Sequence, residues 1–284
     1  MKINLISNLN EDEGPETFYT FSDVVAWELQ RSFRKLDVTA RRINARDIEA
    51  EAPPIADHTI VVSALAMRLV LDNKDYLTRL RKSTAGQLCL YLDSDAGNWD
   101  QYFDCVFSVI QPKTNRLSLN YIYAGWGASP DLFYPDQKEK TLYLDSFLYG
   151  HPKRALLDKV FDEYTRILPT TGIRIYNPHP HYDGAGRVAW PRIQEMLREC
   201  HFFCDTKYGN SGLIRLEAAT CGALLVVNKK TYMPRTMNSL EYRIWETERE
   251  LREILAMETN PEKIRKRALE HSWDKTARRI LDAL

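Results

Sequence analysis

The chain has 284 residues and is poor in the features that announce a function. Its five cysteines, Cys89, Cys105, Cys200, Cys204 and Cys221, contain no C-x-x-C pair. Cys200 and Cys204 lie four apart, but no histidine pair sits at zinc spacing nearby, so no structural metal is expected. An odd number of thiols scattered through apolar segments reads as reduced, buried cysteine in a cytoplasm. No apolar run approaches the roughly 18 residues of a membrane span. The opening MKINLISNLN turns polar too soon after Ile6 for a signal peptide. Net charge is missing as well: 39 Lys and Arg balance 39 Asp and Glu. A purely electrostatic nucleic-acid binder is therefore not indicated, though a local basic face stays open. No glycine fingerprint of a dinucleotide loop, short repeat or low-complexity tract is visible.

Hydrophobic residues make up 44% and charged residues 27% of the chain, which fits a globular protein long enough for two domains. The first 135 residues carry a slight acidic excess and the remainder a slight basic one, so the second half suits a phosphate-bearing ligand better. KINLIS reads as a strand. A helix follows, with Val24, Val25, Leu29, Phe33 and Leu36 at helical spacing and Ser22 as N-cap. VTARRI, HTIVVSAL, GQLCLYLDSD, CVFSVI and YIYAGW are further strands, and NKDYLTRLRKS is a helix. Two prolines and a charge run between Pro130 and Lys140 mark a linker. The alternation then restarts: TLYLDSF, GIRIYN, HFFCDT and ALLVVN are strands, PKRALLDKVFDEYTRI, WPRIQEMLREC and GLIRLEAATCG are helices. A long helical tail from Ser239 closes the chain. Strands alternating with helices imply parallel sheets covered on both faces. The expected fold class is α/β, with two Rossmann-like domains, 1–135 and 136–284, facing across a cleft.

In such sheets ligands bind beyond the carboxyl ends of the strands. After TLYLDSF comes His151-Pro152, then a helix opening with Lys153 and Arg154, where two cations and free N–H groups suit a diphosphate. After HFFCDT a Gly/Asn/Ser loop feeds a helix capped by Asn210 or Ser211. Glu217, in its first two turns and facing solvent or the cleft, can accept two hydrogen bonds from adjacent ribose hydroxyls. Arg215 can reach a phosphate bidentately. The GAGRVAW turn, with Val188, can pack on a flat base. At the end of YLDSD, Asp93 and Asp95 are candidate general bases, with His151, His179 and His181 as rivals. Each has a plainer alternative: a solvated first turn, a surface glutamate, an ordinary connection, an Asp that caps a turn.

Taken together these stretches resemble the GT-B glycosyltransferases. LIRLEAATCGALLVV looks like the segment whose glutamate holds a nucleotide-sugar's ribose. YAGWGASPDLFYP, with Asp131, Phe133 and Pro135, is similar to the inter-domain crossing of that fold. A narrower similarity is to the DNA glucosyltransferases of T-even phages, through KINLISN, CLYLDSD, DTKYGN and IRLEAATCGALLVVNKKTYMPRTMN. The resemblance implies Asp93 as catalytic base, while Asp95 and His151 stay as the other catalytic candidates of the strand ends. It implies Lys153 and Arg154 on the diphosphate, Glu217 on the ribose, and Val188, Tyr208, Gly212 and Arg215 completing the donor pocket. Gly14, Arg68 and Lys230 are the implied acceptor contacts. The co-substrate is a UDP-sugar, with no tightly bound cofactor and no required divalent metal. The implied acceptor is a hydroxymethylated base in double-stranded phage DNA, and the enzyme a monomer in host cytoplasm, away from membranes. Arg31, Arg34, Lys35, Arg41, Arg42, Arg79, Arg81, Lys82, Lys229 and Arg235 join Arg68 and Lys230 as candidates for a DNA-backbone face. Two rivals stay open: a saccharide or lipid acceptor, and a non-enzymatic nucleotide-sugar-binding module.

Overall fold

A computed structural model describes the chain except residues 19–20, 50–51, 63–69, 71, 93–98, 110–120, 137–138, 146–154, 177–189, 207–212 and 232–239. The fold groups into two units: Met1–Gly127 with Ser272–Leu284, and Ala128–His271.

The first unit contains β1 (Lys2–Ser7), α1 (Phe21–Lys35), β2 (Thr39–Asn44), β3 (His58–Val62), α2 (Lys74–Ser83), β4 (Leu88–Leu92), β5 (Cys105–Ser108) and β6 (Tyr121–Tyr123). The strands form one parallel sheet in the order β2-β1-β3-β4-β5-β6. Its inner strands are buried along almost their whole length, because helices cover both faces of a parallel sheet and leave no solvent side to alternate toward. Ile6, Val61, Leu88, Leu90, Leu92 and Val106 form part of its core. Asn73 caps α2 by accepting the Asp75 N–H at 3.1 Å. Ser22 does not play that part for α1: the helix already includes Phe21, so Ser22 is its second residue.

The second unit contains β7 (Thr141–Leu144), α3 (Ala155–Ile167), β8 (Arg174–Tyr176), α4 (Trp190–Glu199), β9 (Phe202–Asp205), α5 (Leu213–Thr220), β10 (Leu224–Asn228), β11 (Tyr242–Trp245), α6 (Glu248–Ala256) and α7 (Pro261–Ala268). Its parallel sheet runs β11-β10-β9-β7-β8.

The segment after Ser239 is not one helical tail. It opens with β11, an edge strand whose short YRIW pattern is only partly buried and is flanked by charges. Three separate helices follow, α6, α7 and α8 (Trp273–Leu281). Each has its own start signal: a Thr247–Glu250 capping box, Asn260 ahead of Pro261, and Ser272 accepting from Lys275 N–H. The last helix also groups with residues 1–127 rather than with 136–284. Its stripe of Trp273, Ala277 and Ile280 is buried, and α8 packs on α1, where the Ser32 hydroxyl donates to Asp274 Oδ1 at 2.8 Å. Gly127 makes the outgoing chain fit beside the returning one: a Cβ there would meet Trp273 N at 2.2 Å.

Candidate functional site

In the second sheet the first strand, β7, lies between β8 and β9, and the chain then proceeds outward to β10 and β11. The direction of winding reverses between β7 and β9. That reversal leaves the crevice where open α/β sheets bind ligands, outside the carboxyl ends of the two strands. Asp145 follows β7, Asp205 ends β9 and Thr206 comes next, exposed by only 2%, 0% and 3%. The Asp145 N–H donates to Cys204 O at 3.0 Å, and the Thr206 hydroxyl donates to Asp145 O. Asn228 closes β10, also buried.

The helix α5 starts eight residues after β9 ends, and all eight of its residues are buried. Gly222 terminates it. At φ +84° this residue takes the left-handed conformation that glycine adopts at no steric cost. The Cys221 N–H then reaches Glu217 O at 2.9 Å, and the Ala223 N–H reaches Ala218 O at 3.0 Å. From α7, the Arg265 guanidinium donates to Thr220 O, satisfying a carbonyl the helix end leaves over, and, at 2.7 Å, to Phe133 O.

Two charges lie inside this helix. Arg215 forms an ion pair with Asp205, both side chains being out of solvent. Expected at a phosphate, it is engaged instead by the carboxylate at the end of β9. Glu217 is the fifth helical residue and fully buried, not a glutamate at an open helix start. Its neighbourhood includes Tyr143 of β7. Burial pushes the Tyr143 phenol well up, and the charges of Asp145, Cys200 and Glu217 push the same way. Tyr143 stacks on Phe203 of β9, ring centroids 5.3 Å apart, so β7 and β9 are joined through side chains as well as by pairing. Asp145, Asp205 and Thr206 had no assigned role in the sequence. The signal was there, since each follows an apolar run just as Asp93 follows CLYL.

Asp93, Asp95, His151, Lys153, Arg154, Val188, Tyr208, Gly212 and Arg68 lie outside the described residues, as do His179, His181 and Arg235. Gly14 belongs to the loop after β1. The first sheet reverses its winding between β1 and β3, so this loop leaves that sheet at its own switch point. Arg42 of β2 fastens it. The guanidinium, 4% exposed, donates through Nη2 to Glu11 O at 2.9 Å and Glu13 O at 2.6 Å, and the Glu11 carboxylate accepts Arg42 N–H. Lys230 pairs with Glu163 at 3.0 Å. Among the described residues no group of three His, Cys, Asp or Glu could hold a metal, and no helix is long and apolar enough to cross a membrane. All five cysteines are free thiols in buried positions.

No family model matches the sequence, and no curated protein matches it. Solved structures do. AviGT4, a glycosyltransferase involved in avilamycin A biosynthesis, is similar over 99% of this chain and 96% of its own, with a TM-score of 0.60 at 13% identity. The chain has the fold of a glycosyltransferase. Sucrose-phosphate synthase from Thermosynechococcus elongatus is similar over 99% of this chain and 97% of its own, with a TM-score of 0.54 at 13% identity. Anabaena HepE in complex with UDP-glucose covers 100% of both chains, with a TM-score of 0.55 at 11% identity. The two-domain α/β architecture of GT-B type expected from the sequence is the one present. At these identities the likeness speaks for the fold alone.

Proposed function

We propose that the chain is a glycosyltransferase that binds a nucleoside-diphosphate sugar, in the first place a UDP-sugar, at the carboxyl ends of β7 and β9. It passes the sugar to a hydroxyl of a saccharide acceptor. One observation carries this reading: Asp145, Asp205, Arg215 and Glu217, all buried, gather at the switch point of the second sheet. Buried charge is expensive, several kcal/mol per ion before pairing, and strand ends at a switch point are where an α/β fold makes use of it. The same fold in HepE was solved with UDP-glucose, which supports the donor class.

On this reading Glu217 accepts hydrogen bonds from the two ribose hydroxyls. Lys153 and Arg154, which precede α3 in the sequence, meet the diphosphate and stabilise the charge it develops on leaving. Asp93, after β4, takes the proton of the acceptor hydroxyl as its oxygen bonds to the anomeric carbon and the bond from that carbon to the diphosphate breaks.

The acceptor expected from the sequence, a hydroxymethylated base in phage DNA, rests on sequence resemblance. Most of the described cations offered for its backbone already face carboxylates or carbonyls: Arg31 with Glu28, Arg34 with Glu11, Lys35 with Asp274, Arg81 with Asp104, Lys229 with Glu246, and Arg79 on Ile48 O. Arg42 is buried. Surface pairs contribute little energy, but they neutralise the field that gathers a polyanion. A neutral saccharide makes no such demand. Incubation with radiolabelled UDP-sugars and either saccharide acceptors or hydroxymethylated DNA tests both halves. Label in the saccharide supports the proposal, label in DNA overturns its acceptor, and binding without transfer to either favours a nucleotide-sugar-binding module.

A further inference from the structure

We infer that the Asp205–Arg215 ion pair is the rotational key of α5, a positioning device that points Glu217 at the nucleotide. The inference rests on the donor site proposed above. An ordinary surface helix is oriented by its apolar stripe, because turning it about its axis would expose that stripe and bury the polar face. No such constraint acts on α5: all eight residues, Leu213 to Thr220, are buried, so apolar pattern alone does not select one rotation. The polar groups must select it. Arg215 is the one cation of the helix, and it meets Asp205 at the last position of β9, a strand held on both sides by parallel pairing to β7 and β10.

Helix geometry carries the consequence to Glu217. Residues two apart in an α-helix are separated by about 200° around the axis and do not face one another. With Arg215 turned to the end of β9, Glu217 is directed to another side of the helix, with both carboxylate oxygens buried. A turn of the helix that released Arg215 would swing Glu217 away by the same angle. Arg215 thus acts through Glu217 and does not need to touch the ligand. This differs from the phosphate contact expected of it, and the two roles separate cleanly: a phosphate contact matters to UDP and not to uridine, whereas a ribose-positioning role matters to both.

The test is calorimetry with UDP and with uridine on the wild type, Arg215→Met, the double variant Asp205→Asn with Arg215→Met, and Arg215→Met combined with Glu217→Ala. Thermal unfolding is run beside it. Replacing a whole buried pair by neutral side chains of similar volume is often neutral for stability. The variant carrying Asp205→Asn with Arg215→Met is therefore expected to melt like the wild type, yet to bind UDP and uridine about 10- to 100-fold more weakly each, the effect of losing the charge-assisted contact of Glu217 with the ribose. Adding Glu217→Ala to Arg215→Met is expected to cost little more affinity, because the ribose contact is already lost. A well-folded double variant with wild-type affinity overturns the inference and leaves the donor reading standing. A loss confined to UDP overturns it in favour of a phosphate contact. A wild type that binds neither ligand overturns the donor reading and the inference with it.

Discussion

Gly222 offers a quantitative check on how α5 is terminated. Replacing it with alanine brings two separable penalties. The first is conformational: at φ +84° an L-residue pays about 1–2 kcal/mol for the left-handed region. The second is steric. A Cβ there would lie 2.7 Å from Pro261 Cβ and 3.0 Å from its Cα and carbonyl oxygen. These are backbone and ring atoms of α7 that cannot swing aside, and overpacking of this kind typically adds about 1–3 kcal/mol. The sum is about 2–5 kcal/mol, or a fall in Tm of roughly 4–20 °C for a domain of this size. Gly172 is the internal control. It also has positive φ, +73°, but nothing lies within 4 Å of its Cβ position, so Gly172→Ala carries the first penalty alone. Scanning calorimetry of the two variants against the wild type should show Gly222→Ala melting lower by at least the steric share. Equal shifts, or a Gly222→Ala variant as stable as the wild type, would refute the close approach of α5 to α7.

Lys153→Ala with Arg154→Ala should weaken UDP binding far more than uridine binding, since only UDP carries the diphosphate; calorimetry showing equal losses would reduce the pair to support of the fold. Asp93→Asn should leave UDP-sugar binding near wild type while turnover falls by about 10²–10⁴, the usual range for a lost general base, with Asp95→Asn milder; full transfer activity in Asp93→Asn would move the base elsewhere, to His151 first. Burial, and then Lys140, lowers the pKa of His201, whose Nδ1 accepts the Thr141 N–H at 3.4 Å and would lose that bond on protonation. The folded value lies below the unfolded one of about 6.5, so this contribution to stability is complete above pH 6.5 and is lost as pH falls through the lowered value; His201→Gln should flatten the acid limb of Tm against pH below about 6.5, and an unchanged limb would remove His201 as its source.

The strands were legible because a sheet covered on both faces needs nearly continuous apolar runs, and LCLYL, TLYL, FFCD and LLVVN are such runs. The helix starts at Asn73, Thr247, Asn260 and Ser272 carry side-chain caps a few residues away in sequence, although the last three fall within the stretch expected as one helical tail. Other features depend on partners far along the chain. β11 is a strand because β10 offers an open edge, which its charged surroundings do not reveal. The return of α8 to α1 follows from a stripe that could have packed on any apolar face. Arg215 illustrates the same limit at the site: spacing places it beside Glu217, but only the fold brings Asp205 from ten residues earlier to meet it. Glu217 stands out in the sequence as a carboxylate in an apolar context, while its depth was not visible, since burial depends on β7 and on the far side of the helix.

Glu217 is the residue proposed to meet a nucleotide's ribose. Titration of UDP into the wild type and into Glu217→Ala, with circular dichroism to verify the fold, measures this directly. The account predicts binding by the wild type and a loss of about 1.5–3 kcal/mol in the variant, the contribution of a hydrogen bond to a charged group. Unchanged UDP affinity in a well-folded Glu217→Ala protein would contradict it.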